Sequence, residues 1–395
     1  MPGIYPLKGV VKQYDWGGTS FIPSLLKMEN KPPKPFAEYW MGTHPLGQSL
    51  VDTGGSVPTE LSHIAGNLPY LFKAQDVKEM LSIQVHPDKE AAEKEFAREN
   101  AEGIPADAPH RNYKDDNHKP EMLVALGDFW LLHGFKPIEQ LSYTLLNVVE
   151  LQELLPIFNE TGYAGLYKHV MEMPQPEVNR ILQPLIDKMA TIYKTEEPDK
   201  SDEDYWATKA AATFTKDNNI DRGIFSIYLF NIVQLKKGEG LFQGAGVPHA
   251  YLEGKCVEIM ANSDNVLRGG LTTKHVDVKE LLKHVKCEAT YPAIITGEEA
   301  GPEERLYKIP APDPIAIGFR LSVFELEAGG TISFDPVSVE ILLLTEGVAE
   351  LDDDNIAIRL EYGNPSAVVF PGQTVYLAAA KKATVFRASA PVRNG

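Results

Sequence analysis

The spacing of apolar residues changes character twice along the chain. Residues 1–136 hold short apolar segments cut by Gly, Pro and Asp/Asn turns, as at Leu81–His86 and Met122–Phe135, and these predict strands. DKEAAEKEFAR is Ala- and Glu-rich and predicts one helix near Lys89–Arg98, with too few apolar positions to be anything but a surface helix. Across 137–222 the period lengthens. Leu141, Leu145, Leu146 and Val149 recur at helical spacing, and Ile181, Leu182, Leu185, Ile186 and Met189 share one helical face. The polar stretch KTEEPDKSDEDYWATKAA then reads as a charged loop in this helical unit. From Gly223 strand character returns in IFSIYLFNIVQL, followed by a Gly-rich turn, VPHAYL and KCVEIM. Residues 310–395 are dense in β-branched residues and short turns, the pattern of a β-sandwich or jelly roll.

The simplest architecture is mainly β with a helical insert. A first β domain takes residues 1–136 and 223–290, the insert 137–222, and a second β domain 291–395. No apolar run approaches the ~20 residues that span a bilayer. The N-terminus shows no basic segment followed by an apolar one, so the cytoplasm is the expected location. Two cysteines, Cys256 and Cys287, are too few for a disulfide framework or a Cys-based zinc site. The net charge of −17 opposes nucleic acid and anionic membrane as partners. It also opposes an anionic small substrate, unless basic residues gather locally.

Three segments offer metal ligands. In LSIQVHPDK, strand alternation sends Ser82, Gln84 and His86 one way and Ile83 and Val85 the other. In DNHKPEMLVAL, Pro120 disfavours helix at Lys119, so Lys119 and Glu121 share a face with Met122 and Val124 behind. In GEGLFQGAGVPHAYL, His249 follows Pro248 after a Gly-rich turn, and Tyr251 shares its face. Each segment alone also suits a solvated edge strand, a solvated strand end or a satisfied turn histidine. Together they supply two imidazoles, a carboxylate and an amide oxygen, an N2O2 set that suits zinc with one position open. A single carboxylate leaves the ion strongly Lewis acidic. None of the ten histidines follows His284, so the C-terminal β domain is not expected to hold a second such site.

SIQVHPDK, NHKPEM, VPHAYL and SDNVLRGGLT, in this order, resemble the type I phosphomannose isomerases, and KQYDWGG, AEYWMGTHP and LPYLFK support the likeness. The resemblance covers about Val11 to Val285. It departs at Gln75, where an apolar residue is expected, and at Leu267 and Gly269, which flank Arg268. It implies two cupin-type jelly-roll barrels and a helical insertion. One Zn2+ would sit on Gln84, His86, Glu121 and His249, and mannose 6-phosphate and fructose 6-phosphate would interconvert through an enediol(ate), feeding mannose and GDP-mannose metabolism. The expected partner is a small sugar phosphate, and the expected state a monomer or weak oligomer.

Aldose–ketose isomerisation needs a base for a carbon-bound proton and positive charge for the oxyanion. Arg268, always charged and beside a Gly pair, suits the second task, and the resemblance places the family's essential arginine there. For the base, Glu258 in the apolar strand CVEIM and Lys119 rank together, with Tyr251 and Asp264 near them in the motifs. Ser82, Lys73, Lys119, Arg268 and Lys274 are candidates for phosphate, and their clustering would resolve the charge conflict. A cupin metal-dependent oxygenase and a non-catalytic sugar-phosphate-binding module are the alternatives.

Overall fold

The computed structural model describes residues 3–193, 199–311, 313 and 316–391. Two antiparallel sheets of 11 strands each form the body. In the first, the order runs Phe230–Leu235, Phe129–Phe135, His249–Ala261, Tyr70–Val77, Glu38–His44, Val10–Lys12. Glu121–Ala125 also pairs with His249–Ala261, and the two-residue strand Gln84–Val85 joins His249 to Leu267–Arg268. The second sheet is built on the long strands Glu340–Asp352 and Val375–Ser389. Gly3–Lys8 crosses the division drawn from the sequence, because it pairs with Ser366–Phe370 and buries Ile4 among Leu342, Leu344 and Val369.

Alternation along the first sheet sorts its two faces. Tyr70, Phe72, Ala74, Met122, Val124, Val257 and Ile259 turn toward the second sheet and meet Leu321, Ile341, Leu343, Val368 and Phe386. Each such side chain removed from water contributes ~1.5–3 kcal/mol, so this layer holds the halves together. The opposite face carries Lys73, Gln75, Glu121, Cys256 and Glu258, all buried. One face is therefore structural and the other chemical.

The strand His249–Ala261 serves both halves of the first sheet through a change of face. Trp130 pairs with Glu253 but Leu131 with Tyr251, so one residue is extra at Leu252. Gly254 follows at φ +135°, where a Cβ would lie 2.6 Å from the Phe129 ring and 2.7 Å from the Asp128 carbonyl. Before this bulge the odd positions His249 and Tyr251 face inward, and after it the even positions Cys256 and Glu258 do.

The mainly β architecture with its helical insert is as expected, and neither sheet closes into a hydrogen-bonded barrel among the described residues; the long strands bend at irregularities and change partners instead. Two expectations are corrected. Gly223–Leu229 is a helix, and strand begins only at Phe230. GIFSIYL is apolar almost throughout and every residue is buried, so no period distinguished a buried helix from a buried strand. In the polar stretch, 194–198 lie outside the described residues, and Glu203–Phe214 is helix, capped by the Asp202 carboxylate on the Asp204 N–H at 2.9 Å.

The helices Ile138–Asn147, Leu155–Glu172, Gln175–Ile192 and Glu203–Phe214 pack Leu141, Leu166, Leu182 and Trp206 against Ile83, Val85, Ala250 and Leu252. The apolar backs of two ligand-bearing strands thus rest on the helical block. No described helix is long and apolar enough to cross a membrane.

Candidate metal centre

His86, Glu121 and His249 converge, each buried, with one donor atom apiece within 4.8 Å of the others. His86 Nε2 lies 3.6 Å from Glu121 Oε1 and His249 Nε2 3.3 Å from Glu121 Oε2. Both rings are held from behind. His86 Nδ1 donates to the Asn265 carbonyl at 2.8 Å and His249 Nδ1 to the Val247 carbonyl at 2.9 Å. This fixes the tautomer that turns Nε2 inward, the usual arrangement for imidazole ligands. Gln84 stands opposite His249 and Arg268 in the strand register.

The donor set fits a divalent cation. His86 Nε2 is fully buried with no hydrogen-bond partner among the described residues, which is costly for a polar atom unless something occupies it. Burial, then the Lys119 charge, pushes the His86 imidazole down to about 4, so it is neutral and able to ligate near pH 7. Burial opposes ionisation of Glu121, but Lys119, His86 and His249 outweigh it and hold the carboxyl well below its usual range. Lys119 Nζ sits 2.9 Å from Glu121 Oε1.

Beside this trio runs a buried polar network. Glu258 accepts from Tyr251 Oη at 2.6 Å, Lys73 Nζ at 2.9 Å and Gln75 Nε2 at 3.1 Å. Gln75 also donates to Glu38 at 2.8 Å, and Trp40 Nε1 donates to the same carboxylate at 2.8 Å. Burial raises the Glu258 carboxyl against the pull of Lys73. For Lys73, burial is outweighed by Glu258 and Glu38, which keep it charged. Lys73 thus belongs to this network rather than to the other phosphate candidates.

Those others gather next door. Ser82, Arg268 and Lys274 line a cleft of about 500 Å³ with Thr272 and Thr273. A cavity of about 90 Å³ at Lys119, Glu121, His249 and Glu258 adjoins it, sharing Leu81 and Gln84. Burial lowers the Arg268 guanidinium and, together with Arg268, the Lys274 ammonium. Neither cation forms a salt bridge among the described residues, and the carboxylates that also line the cleft are Asp15 and Glu79. Asp264 stands apart, half exposed, with its carboxylate 3.4 Å from His44 and its N–H donating to Asp115.

Sequence reasoning overlooked the supports. The Asn265 side chain accepts from Lys114 N at 2.7 Å and donates to the Asp115 and Asn117 carbonyls, each at 2.8 Å. Glu38 and the buried pair His133–Gln243, joined at 2.8 Å, were likewise not singled out. Their partners are distant in sequence; only the odd polar residue in an apolar strand, such as Glu38 in AEYWMG, signals them.

A buried His–Glu–His group on an antiparallel scaffold, beside a cleft that presents Ser82, Arg268 and Lys274, has the donor set of a mononuclear metal protein. Residues 4–138 match the catalytic domain of type I phosphomannose isomerase. The chain is 34% identical to the mannose-6-phosphate isomerase of Escherichia coli (strain K12), over 93% of each chain. It is 32% identical to that of Homo sapiens, over 98% of each. Its fold matches the Salmonella typhimurium mannose 6-phosphate isomerase bound to substrate (F6P) and zinc, at TM-score 0.84 and 31% identity, covering 98% of this chain and 100% of that one. The chain belongs to the type I phosphomannose isomerase family.

Proposed function

We infer that this chain is a zinc-dependent aldose–ketose isomerase that interconverts mannose 6-phosphate and fructose 6-phosphate. The observation that carries the reading is the wall shared at Leu81 and Gln84, which sets a metal cavity beside a cleft that presents Arg268 and Lys274. A phosphosugar has the same two ends: carbonyl and hydroxyl oxygens at one, a dianion at the other. Family membership supports the same reaction.

Zinc would rest on His86, Glu121 and His249, with Gln84 as the fourth ligand, and when bound supplies a Lewis acid and a positive charge. Ser82, Arg268 and Lys274 bind the phosphate, Arg268 being near enough to the shared wall to favour the oxyanion as well. Both candidates for the base line the cavity. Glu258, a carboxylate raised by burial, accepts from Tyr251, Lys73 and Gln75. Lys119 lies 2.9 Å from Glu121 and must lose its own proton before it can take one. Glu258 is therefore assigned the proton, and Lys119 the task of holding the Glu121 carboxylate.

The test is a coupled assay from mannose 6-phosphate to fructose 6-phosphate. Conversion should vanish with chelator and return with Zn2+. Metal-loaded protein that converts neither sugar phosphate would sink the reading.

A further inference from the structure

The helical insert ends on a carboxylate that grips the loop between Arg268 and Lys274. Asp221 precedes the helix Gly223–Leu229 and accepts three backbone N–H bonds. Gly223 donates to Oδ1 at 2.7 Å, Leu271 to Oδ1 at 2.8 Å and Thr272 to Oδ2 at 3.2 Å. Its neighbour Arg222 donates to the Met171 carbonyl, which ties this turn to the helix Leu155–Glu172.

The loop has need of a clamp. Leu271 sits at φ +53°, in the left-handed region that L side chains avoid, so its conformation must be imposed from outside. Two backbones meet there without space: a Cβ on Gly270 would lie 2.5 Å from Gly223 Cα. On its far side the loop is bonded to the ligand strand, through Ile83 N to the Gly270 carbonyl at 3.0 Å and Gly269 N to the Ile83 carbonyl at 2.9 Å. The loop is thus fixed between Asp221 and the segment that carries Gln84 and His86.

We propose that Asp221 is a positioning residue for phosphate recognition, holding Leu271 and Thr272 so that Arg268 and Lys274 stand together before an anion arrives. This rests on the reading of the cleft as the phosphate site. Arg268 and Lys274 repel each other and form no salt bridge among the described residues, so a loop free to relax would separate them. Holding them together in advance removes that ordering cost from binding. Asp221 bonds the backbone of the loop and does not itself line the cleft, so its removal acts on affinity rather than on the chemical step.

The experiment uses the full-length, zinc-loaded enzyme and Asp221→Asn, which keeps the shape but turns an NH2 toward N–H donors. KM for mannose 6-phosphate and the inhibition constant of inorganic phosphate should rise together by about 10-fold, roughly 1.4 kcal/mol. The value of kcat and the zinc content should stay near wild type, a split that general loosening of the fold does not produce. An unchanged phosphate inhibition constant, or a fall in kcat at constant KM, would overturn the proposal. Should Asp221→Asn not fold, Asp221→Glu, which displaces the same charge, is read by the same two constants. If wild type is not inhibited by phosphate, or Lys274→Ala leaves that inhibition unaltered, it is the cleft reading that fails instead.

Discussion

The backbone carbonyl of Asn265 takes the Nδ1 hydrogen of His86 at 2.8 Å, while the side chain of the same residue binds Lys114, Asp115 and Asn117. One residue therefore sets both the orientation of a ligand ring and the course of the segment leading to Lys119 and Glu121. Asn265→Ala leaves the carbonyl but frees the segment. Metal affinity should fall, by less than the ~10–100-fold that loss of the carbonyl partner itself would cost. Titration against a competing chelator measures it, and wild-type retention of metal would show that the ring is held without the side chain.

His249→Ala and Arg268→Ala separate metal binding from chemistry. The first removes one of three convergent donors and should abolish both bound metal and turnover. The second removes a cation from the neighbouring cleft, so metal content should stay intact while turnover is lost. Metal analysis with the coupled assay decides. Full metal and full rate in His249→Ala would remove that ligand, and an unchanged rate in Arg268→Ala would remove it from the mechanism.

His133 makes the metal-free protein sensitive to acid. Burial, aided by the His249 charge, holds its imidazole down to about 4 from an ordinary 6.5, against the hydrogen bond to Gln243. Between these values the unfolded chain binds the extra proton and the folded one does not, so stability rises with pH there. The contribution is complete above about pH 6.5 and is lost on the way down to about 4, on the order of 3 kcal/mol. Urea midpoints in chelator should fall less steeply over this range for His133→Asn than for wild type. Parallel slopes would contradict the assignment.

Gly269→Ala tests the packing behind Arg268. The added Cβ would lie 2.8 Å from Tyr167 Oη and 2.9 Å from Ile83 Cγ2. Overpacking of this kind costs ~1–3 kcal/mol. A lowered melting temperature, partly restored by Tyr167→Phe, is expected. Equal melting of Gly269→Ala and wild type would mean that the helix Leu155–Glu172 yields freely.

The candidate metal ligands were legible because each sat in a local pattern, and His86, Glu121 and His249 converge in the structure. Alternation paired Gln84 with His86, and Pro120 forced the extended start at Glu121. Buried Ile83 and Val85 occupy the reverse face as expected. The supports were not readable, since Asn265 and Asp221 act on residues 150 and 50 positions away. The Gly223–Leu229 helix escaped because period is a signal only where polar residues interrupt it. Gln75, visible in the sequence as a departure from an apolar position, acquires a reason once Glu38 and Glu258 are found on either side of it.

The bulge at Leu252–Gly254 has a consequence for how this gene can vary. Tyr251 and Glu258, seven positions apart, touch only because the strand switches faces between them. Lys255, exposed beside the bulge, reaches the Phe21 ring at 5.5 Å, so its exchange costs that contact but leaves the alternation of both faces as it is. A one-codon deletion there would instead drive Val257 and Ile259 into the metal cavity and Glu258 into the apolar layer between the sheets. Functional descendants of this chain can therefore change the letters of this strand, but its length between His249 and Glu258 is inherited as a unit.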